Sequence, residues 1–593
     1  MIVPMKKIAV LVQSKDADST LKTLGSLGVL HIIHRKPPHG KDISALEDDI
    51  DLTDKAINIL KTVEPDKRKD KPGPTERKAD NWKLKAQHVI DLQDRLSRLE
   101  EYGRIAKNEI TEWQTWGDFN PGEIKTLAEK NINIHLYRIP IKKIKDFPAS
   151  AIVKKLQVKK GIANCAVISR DKIETSFKEI PLPKMGIKRI QTRLSEDQKV
   201  IESIKNDMQK HLGCIDDFSA AKKMLQKELE FQEALSGMGE SGSIAYLTGF
   251  APDDKVETLL KMSKKEKWGI AASDPSPEER VPTLIRNPKW ISIIAPVFKV
   301  LEIVPGYKEL DISLWFLVFL SIFFGMLIGD AAYGIIFFAL TLVAQKKFGK
   351  KVPNKAGFIL LYVFSSCAII WGVLTGTFFG QAWLPESIKP LMPALRNSKN
   401  VQSLCFLIGT IHLTIGHLWR AILKSPSPKA LSDIGWVSVL WGAFFLAKTL
   451  ILGESFPQFA KWFFIAGPVL VVFFTDLNLN RYILKGIGSG LGNLLLNFVN
   501  SFTDVVSYIR LFAVGLATVA IADAFNKMAL GIGFNSILTG LATAIILLLG
   551  HTLNIILGPL AVLVHGVRLN VLEFCNHVDI RWSGFSYKPL REE

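Results

Sequence analysis

Residues 312–345 read ISLWFLVFLSIFFGMLIGDAAYGIIFFALTLVAQ. Two apolar runs, about 312–329 and 331–347, meet at the turn Gly329–Gly334, whose one acid is Asp330. An uncharged run of about 18 apolar residues is the length of a membrane-crossing helix. Before about residue 310 the chain is rich in Lys, Glu and Asp with globular patterning; after it, apolar runs succeed one another. The stretch therefore marks a border between a soluble domain, 1–310, and an all-α membrane domain, 311–593. Six further apolar segments come next, at about 356–383, 401–422, 432–452, 462–479, 487–530 and 536–577, which makes eight expected transmembrane helices. The last two are long. Forty residues at about 1.5 Å each reach about 60 Å, twice the roughly 30 Å of bilayer hydrocarbon, so these two must tilt, bend or protrude. Pro559 supplies a bend in the eighth.

Loop charges set the orientation. QKKFGKKVPNK, between the second and third segments, holds five lysines and no acid. Arg420, Lys424 and Lys429 stand in the fourth loop, Arg481 and Lys485 in the sixth, and Arg581, Lys588 and Arg591 at the C-terminal end. The outer connection GIGFNS is uncharged, although the third loop mixes Glu386 with Lys389, Arg396 and Lys399. Lys and Arg gather on the cytoplasmic side, so a multi-pass protein of the cell membrane with both termini in the cytoplasm is expected. MIVPMKKIAVLV lacks the charge pattern and cleavage site of a signal peptide. The five cysteines are scattered without a CxxC pair, which suggests neither a zinc site nor a disulfide framework. The net charge of +18 is explained by cytoplasmic Lys and Arg, so no nucleic-acid partner is needed.

The soluble domain reads as a dumbbell of two small α/β lobes joined by coiled-coil helices. Residues 6–32 and 243–273 each read strand–helix–strand, and two such units close one split, ferredoxin-like sheet; the proximal lobe is 1–40 plus 240–285. Helical spacing over 43–112, interrupted by DKRKDKPGPTER, and over one long helix at 193–236 reads as antiparallel arms. Strand-like alternation in INIHLYRIPI and CAVISRD places a distal lobe at 115–190. A single compact domain with long helices is the alternative. The sequence has no GxxxxGK[ST] phosphate loop, no HExxH and no GxSxG, which argues against nucleotide, zinc-protease or serine-hydrolase chemistry. No cofactor or metal is expected.

In SYIRLFAVGL, 507–516, Arg510 stands within a membrane segment. An arginine at the bilayer centre costs roughly 3 kcal/mol on insertion scales. Thr503, Ser507, Arg510, Val514 and Ala517 share one helical face, and Asn554, Gly558, Ala561, His565 and Arg568 share another on the eighth segment. Both cations are flanked by small residues that admit another backbone. Asp504 and Asp523 lie about 120° and 140° away from Arg510 around the helix, so neither shares its face. For Arg568, snorkelling to the interface is a strong rival reading. His412, His417 and His565 read as packing or hydrogen-bonding histidines, with a proton relay open for His565.

LGSLGVLHI, VPTLIRNPKW, FFGMLIGDAAYG, SYIRLFAVGLA and VHGVRLNVLEFCNHV, taken together and in this order, resemble the membrane-embedded a/I subunit family of V-type and A-type rotary ATPases, the prokaryotic form in particular. The resemblance implies a non-catalytic stator whose half-channels, at the interface with a rotating proteolipid ring of K/c-type subunits, pass H⁺ or Na⁺ and couple that passage to ATP hydrolysis or synthesis. It implies that Arg510 meets the ring carboxylate and Arg568 supports it, with Ser507, Thr503, His565, Glu573 and Asn554 as half-channel or supporting candidates. Where relatives often carry glutamate or histidine, this chain has Leu496, Thr518 and Gly558, while His565 and Glu573 remain. Peripheral-stalk E/G-type subunits, a central-stalk and ring-adaptor subunit and membrane lipid are the other implied partners. The resemblance further implies that the acid neutralising Arg510 belongs to another chain. A self-contained ion-coupled secondary transporter with a cytoplasmic regulatory domain is the alternative; such a transporter shows internal repeats and broken helices, and no repeat is visible here.

Overall fold

The structure, a computed structural model, describes all residues except 64–80, 149, 160, 171–172, 174, 351, 353, 381–389, 476–482 and 592–593, and only the backbone of 483–493. The loop DKRKDKPGPTER, Arg481, and the ends of the third and sixth expected segments lie outside the described residues. The chain divides into two compact units, Met1–Ala9 with Gly249–Pro589, and Val10–Thr248 with Leu590–Glu593. The strand–helix–strand units are β1 (Met5–Gln13), α1 (Ala17–Leu27), β2 (His31–Ile33) and, after the intervening helices, β8, α7 and β9.

In the second unit, α2 (Lys41–Thr62) and α3 (Trp82–Trp113) lead out; α4 (Pro121–Glu129), β3 (Asn133–Pro140), β4 (Ile152–Lys159), β5 (Ile162–Ser169) and β6 (Glu179–Ile180) form an α/β lobe; α5 (Ile187–Lys210) and α6 (Ile215–Ser236) lead back. The one long helix expected over 193–236 is two, separated by a 3₁₀ turn at His211–Cys214. Ala56, Ile57, Leu60, Ala86, Val89 and Phe218 bury the first contact between the arms, and Leu96, Ile204 and Met208 a second. The lobe's sheet runs β4-β5-β3-β6, its strands antiparallel. Its edge strand β4 carries Lys154, Lys155 and Lys159 and a register shift between Lys155 and Gln157, both of which deter pairing with a further strand. Beneath it Cys165 is wholly buried. Burial pushes its thiol above the ordinary range, although Lys155 pulls the other way, so it behaves as a small core residue. All five cysteines are free.

β7 (Gly239–Ser241) pairs with β8 (Ile244–Pro252), and α7 (Asp253–Glu266) and β9 (Gly269–Ser273) come after them; the sheet order β2-β8-β1-β9 interleaves the strands of the two expected units. α8 (Ala295–Leu301) precedes the apolar helices.

α9 (Ser313–Ile328) and α10 (Ala331–Phe348) answer to the stretch at the border. α9 is buried on almost every face, from Phe316 to Ile328, as a helix apolar all round should be; α10 is buried chiefly at Ala331–Gly334. Between them Gly329 takes φ +70°, a conformation glycine adopts without penalty. Asp330 then caps α10: one carboxylate oxygen accepts from the Ala332 amide at 2.8 Å and the Tyr333 amide at 3.3 Å, the other from Gly380 at 3.0 Å. An acid without exposure to solvent is thus satisfied by backbone donors. α11 (Ala356–Thr375), α12 (Ser398–Lys424), α13 (Ala430–Leu452), α14 (Lys461–Phe474), α15 (Ile483–Ser507), α16 (Ile509–Ile532), α17 (Ile537–Ala561) and the short α18 (Cys575–Val578) complete the unit.

Among the described residues, six helices are long and apolar enough to cross a membrane: 331–348, 356–375, 398–424, 430–452, 494–532 and 537–578. The other two of the eight expected, Ser313–Ile328 and Gln458–Phe474, are shorter apolar helices. Both long segments are interrupted. The seventh breaks at Tyr508. The eighth, after Pro559, winds as π-helix over Val562–Gly566 and again over Leu569–Phe574.

Candidate functional site

The break at Tyr508 prepares Arg510. Here the Leu511 amide donates to the Tyr508 carbonyl at 3.0 Å, a three-residue step in place of the α-helical four. The Ser507 carbonyl, which Leu511 would otherwise occupy, instead accepts from Arg510 Nε at 3.0 Å. Ser507 thus contributes its backbone oxygen. Tyr508 is wholly buried and hydrogen-bonds His412 Nδ1 at 2.8 Å. His412 is itself stacked between Phe319 and Phe574, with centroids at 3.8 and 4.2 Å, and Gly409 leaves the room that the Tyr508 ring fills. The apolar core thereby locks the break from which the arginine projects.

Arg510 Nη2 donates to Glu573 Oε1, and Arg568 Nε lies 3.5 Å from the same oxygen. The carboxylate is buried, at 4% side-chain exposure, against 22% for Arg510 and 53% for Arg568. This corrects the expectation that no acid of the same chain meets Arg510. Asp504 and Asp523 indeed lie elsewhere: Asp504 is 3.1 Å from His577 Nε2, and Asp523 is 2.6 Å from Lys527. Glu573, 63 residues away in sequence, is an acid that no helical wheel of one segment could bring in. Counting two guanidiniums and one carboxylate, the cluster carries 2 − 1 = +1.

The five residues expected on the Arg510 face are exposed or half-buried: Thr503 and Ala517 are exposed, while Ser507, Arg510 and Val514 are intermediate. The second expected stripe does not stay on one side. Asn554 and Gly558 are buried, Ala561 and His565 intermediate, and Arg568 exposed, because a π turn holds more residues than an α turn and rotates the residues beyond it. Asn554 donates to Tyr333 Oη at 3.1 Å and the Thr518 carbonyl at 2.9 Å, tying α17 to α10 and α16. Tyr333 Oη also meets His551 Nδ1 at 2.7 Å. A Cβ at Gly558 would fall 2.7 Å from Ile328 Cδ1, so the glycine permits close packing on α9. Leu496 is exposed and Thr518 buried.

A second polar cluster escaped the sequence reading. A cavity of about 610 Å³ is lined by His417, Arg420, Lys424, Asp433, Thr503, Asp504 and His577, among others. Asp433 is at 2% side-chain exposure, with Lys424 Nζ at 2.6 Å and Arg420 Nε at 3.4 Å. His417 Nε2 is 2.8 Å from His577 Nδ1. The sequence signals available were an acid and histidines inside apolar helices, which are functional candidates by default; their meeting across 160 residues was not legible. No group of three or more potential ligands could hold a metal ion among the described residues.

No protein-family model matches the chain. It is 31% identical, over all of both chains, to a V-type ATP synthase subunit I of Borreliella burgdorferi. It is 28% identical, again over all of both, to V-type ATP synthase subunit I 1 of Treponema pallidum. An A-type ATP synthase subunit I of Methanocaldococcus jannaschii is 25% identical over 92% of this chain and 84% of its own.

Proposed function

The chain belongs to the subunit I family of V-type and A-type ATP synthases, and from that premise we propose that it is the membrane-embedded stator through which the complex moves its ion. It is a multi-pass membrane subunit; we infer eight crossings, the shorter α9 and α14 included, with both termini in the cytoplasm on the loop charges. The soluble domain braces the peripheral-stalk E/G-type subunits. Nucleotide chemistry belongs to other subunits, in keeping with the missing phosphate loop.

One observation carries the reading. Two arginines share one buried glutamate and leave a net charge of +1 on a face the chain itself leaves partly open. A carboxylate of a proteolipid ring passing that face completes the neutralisation. The guanidinium stays charged at any working pH, so it favours the ionised ring carboxylate and drives off its ion. Placed between two half-channels, it also prevents a direct leak. Arg568 steadies Glu573, and through it Arg510. Thr503, Ser507, His565 and Asn554 support the helices or the water paths that lead to this point.

Arg510→Lys in the assembled complex, reconstituted in vesicles, tests the reading. ATP-driven ion uptake should be lost while assembly and ATP hydrolysis persist, because a lysine ammonium lacks the planar fork and deprotonates more readily. Normal uptake would overturn the proposal. Arg568→Ala should lower uptake less, since Glu573 keeps its bond to Arg510; unchanged uptake would leave Arg568 as an interfacial anchor. Ion uptake by the purified chain alone would instead favour a self-contained transporter.

A further inference from the structure

We propose that this chain holds an anionic phospholipid, with one acyl chain in a groove between α9 and α11 and the phosphate on Lys289 at the groove's mouth. The inference rests on the orientation given above, with the soluble domain in the cytoplasm, which makes the lipid one of the cytoplasmic leaflet. The stretch VPTLIRNPKW ends in Lys289 and Trp290, and the reading of Arg510 gives it no task. A cavity of about 710 Å³ opens beside these two residues, walled by Leu317, Ser321 and Ile322 of α9 and by Ile359, Val363 and Cys367 of α11. The 3₁₀ turn Ser292–Ile294, just after Trp290, packs against both helices.

The walls offer nothing to a polar ligand. Ser321 Oγ already donates to the Leu317 carbonyl at 2.7 Å, so below its mouth the groove fits hydrocarbon. Ile359 and Ile322, 49% and 37% exposed, leave it open toward the bilayer. Its length decides between occupants. A partner's transmembrane helix needs about 30 Å of wall, whereas Ile359 to Cys367 spans about 12 Å of helix. The groove closes at Gly325, where α9 meets α11: a Cβ there would fall 2.7 Å from the Cys367 carbonyl oxygen. About 12 Å suits an acyl chain of one leaflet, whose share of the hydrocarbon is about 15 Å.

Charge selects the headgroup. Lys289 and Lys355 are both exposed, and Lys355 stands one turn before Ile359 on the same helical face. Among the described residues no acid of this chain pairs with either. Basic residues at the cytoplasmic end of an intramembrane slot attract anionic headgroups. Trp290, 60% exposed, supplies the amphipathic ring that lies at headgroup level. A zwitterionic lipid brings an ammonium of its own to the same lysines, so phosphatidylglycerol is preferred over phosphatidylcholine.

The test uses the whole complex in vesicles that carry phosphatidylglycerol with a photoactivatable acyl chain, and maps the labelled peptides of this chain. Label should concentrate on 317–322 and 359–367, and unlabelled phosphatidylglycerol should displace it at least fivefold better than phosphatidylcholine. Even labelling of all lipid-facing helices, or equal displacement by both lipids, overturns the proposal; so does a polypeptide cross-linked in the groove. Lys289→Gln should weaken the phosphatidylglycerol preference about fivefold, the worth of one basic residue near the surface. Ile359→Trp, which fills the groove and leaves both lysines, should remove the label, and unchanged labelling would place the acyl chain elsewhere. If either variant fails to assemble, the displacement ratio in the unmodified complex decides. Added only to the outer leaflet of inside-out vesicles, the probe should still label the groove. Labelling only from right-side-out vesicles would invert the orientation and leave the lipid site standing.

Discussion

At Glu573 the same carboxylate oxygen receives two guanidiniums, and its second oxygen is buried without a hydrogen-bond partner among the described residues. Burying a carboxylate is repaid only when its charge is well compensated, so the residue is committed to this pair. Glu573→Gln leaves Arg510 half-buried and uncompensated. We expect it to destabilise the membrane unit by about 3 kcal/mol, within the range for breaking a buried pair, seen as a lower thermal midpoint of the detergent-solubilised complex. Glu573→Asp should fall between the two. An unchanged midpoint in the glutamine variant would show that water, not Glu573, neutralises Arg510. Arg510 itself was plain in the sequence, because a lone cation in an apolar segment demands an explanation. Its partner was hidden, because charge complementarity between helices has no period along the chain.

At the scale of elements, the long segments are informative where they stop being regular. With the Leu511 amide turned to the Tyr508 carbonyl, the break at 508 gives the Ser507 carbonyl to Arg510 Nε without a competing backbone donor. The break is held by the Tyr508 hydroxyl on His412, whose other ring nitrogen is already buried and unpaired. Tyr508→Phe should therefore cost about 1–3 kcal/mol, as for an orphaned buried polar group, and should slow ion uptake more than a remote core change of equal destabilisation. Equal slowing would make Tyr508 a packing residue only. Past Pro559, which cannot donate a backbone hydrogen bond, the π turns rotate Arg568 outward while Glu573 faces in. The helical-wheel stripe drawn through Asn554 and Arg568 assumed about 3.6 residues per turn throughout, and that assumption failed at Val562. Likewise the 3₁₀ turn at His211–Cys214 was invisible in a sequence whose apolar spacing continues across it.

For the whole molecule, the loop charges predict orientation independently of any site. In a chain with its native cysteines replaced, a single cysteine at Asn535 should label from outside intact cells with an impermeant maleimide. One at Lys347 should label only after the cells are opened. The opposite pattern would invert the topology, and labelling of both from one side would require an odd number of crossings between them to be lost. The division of the chain into a charged α/β region and an apolar helical one was legible in the sequence, as were two cations, Arg510 and Arg568, inside apolar segments, since hydropathy and charge are properties of residues and of their spacing. Only the tertiary structure decided that Arg510 and Arg568 share Glu573, that Asn554 faces inward to Tyr333, and that His417, His577, Asp433 and Asp504 stand in line. Those pairings join residues far apart in the chain, and they depend on where each helix departs from ideal winding, which packing determines and local sequence does not.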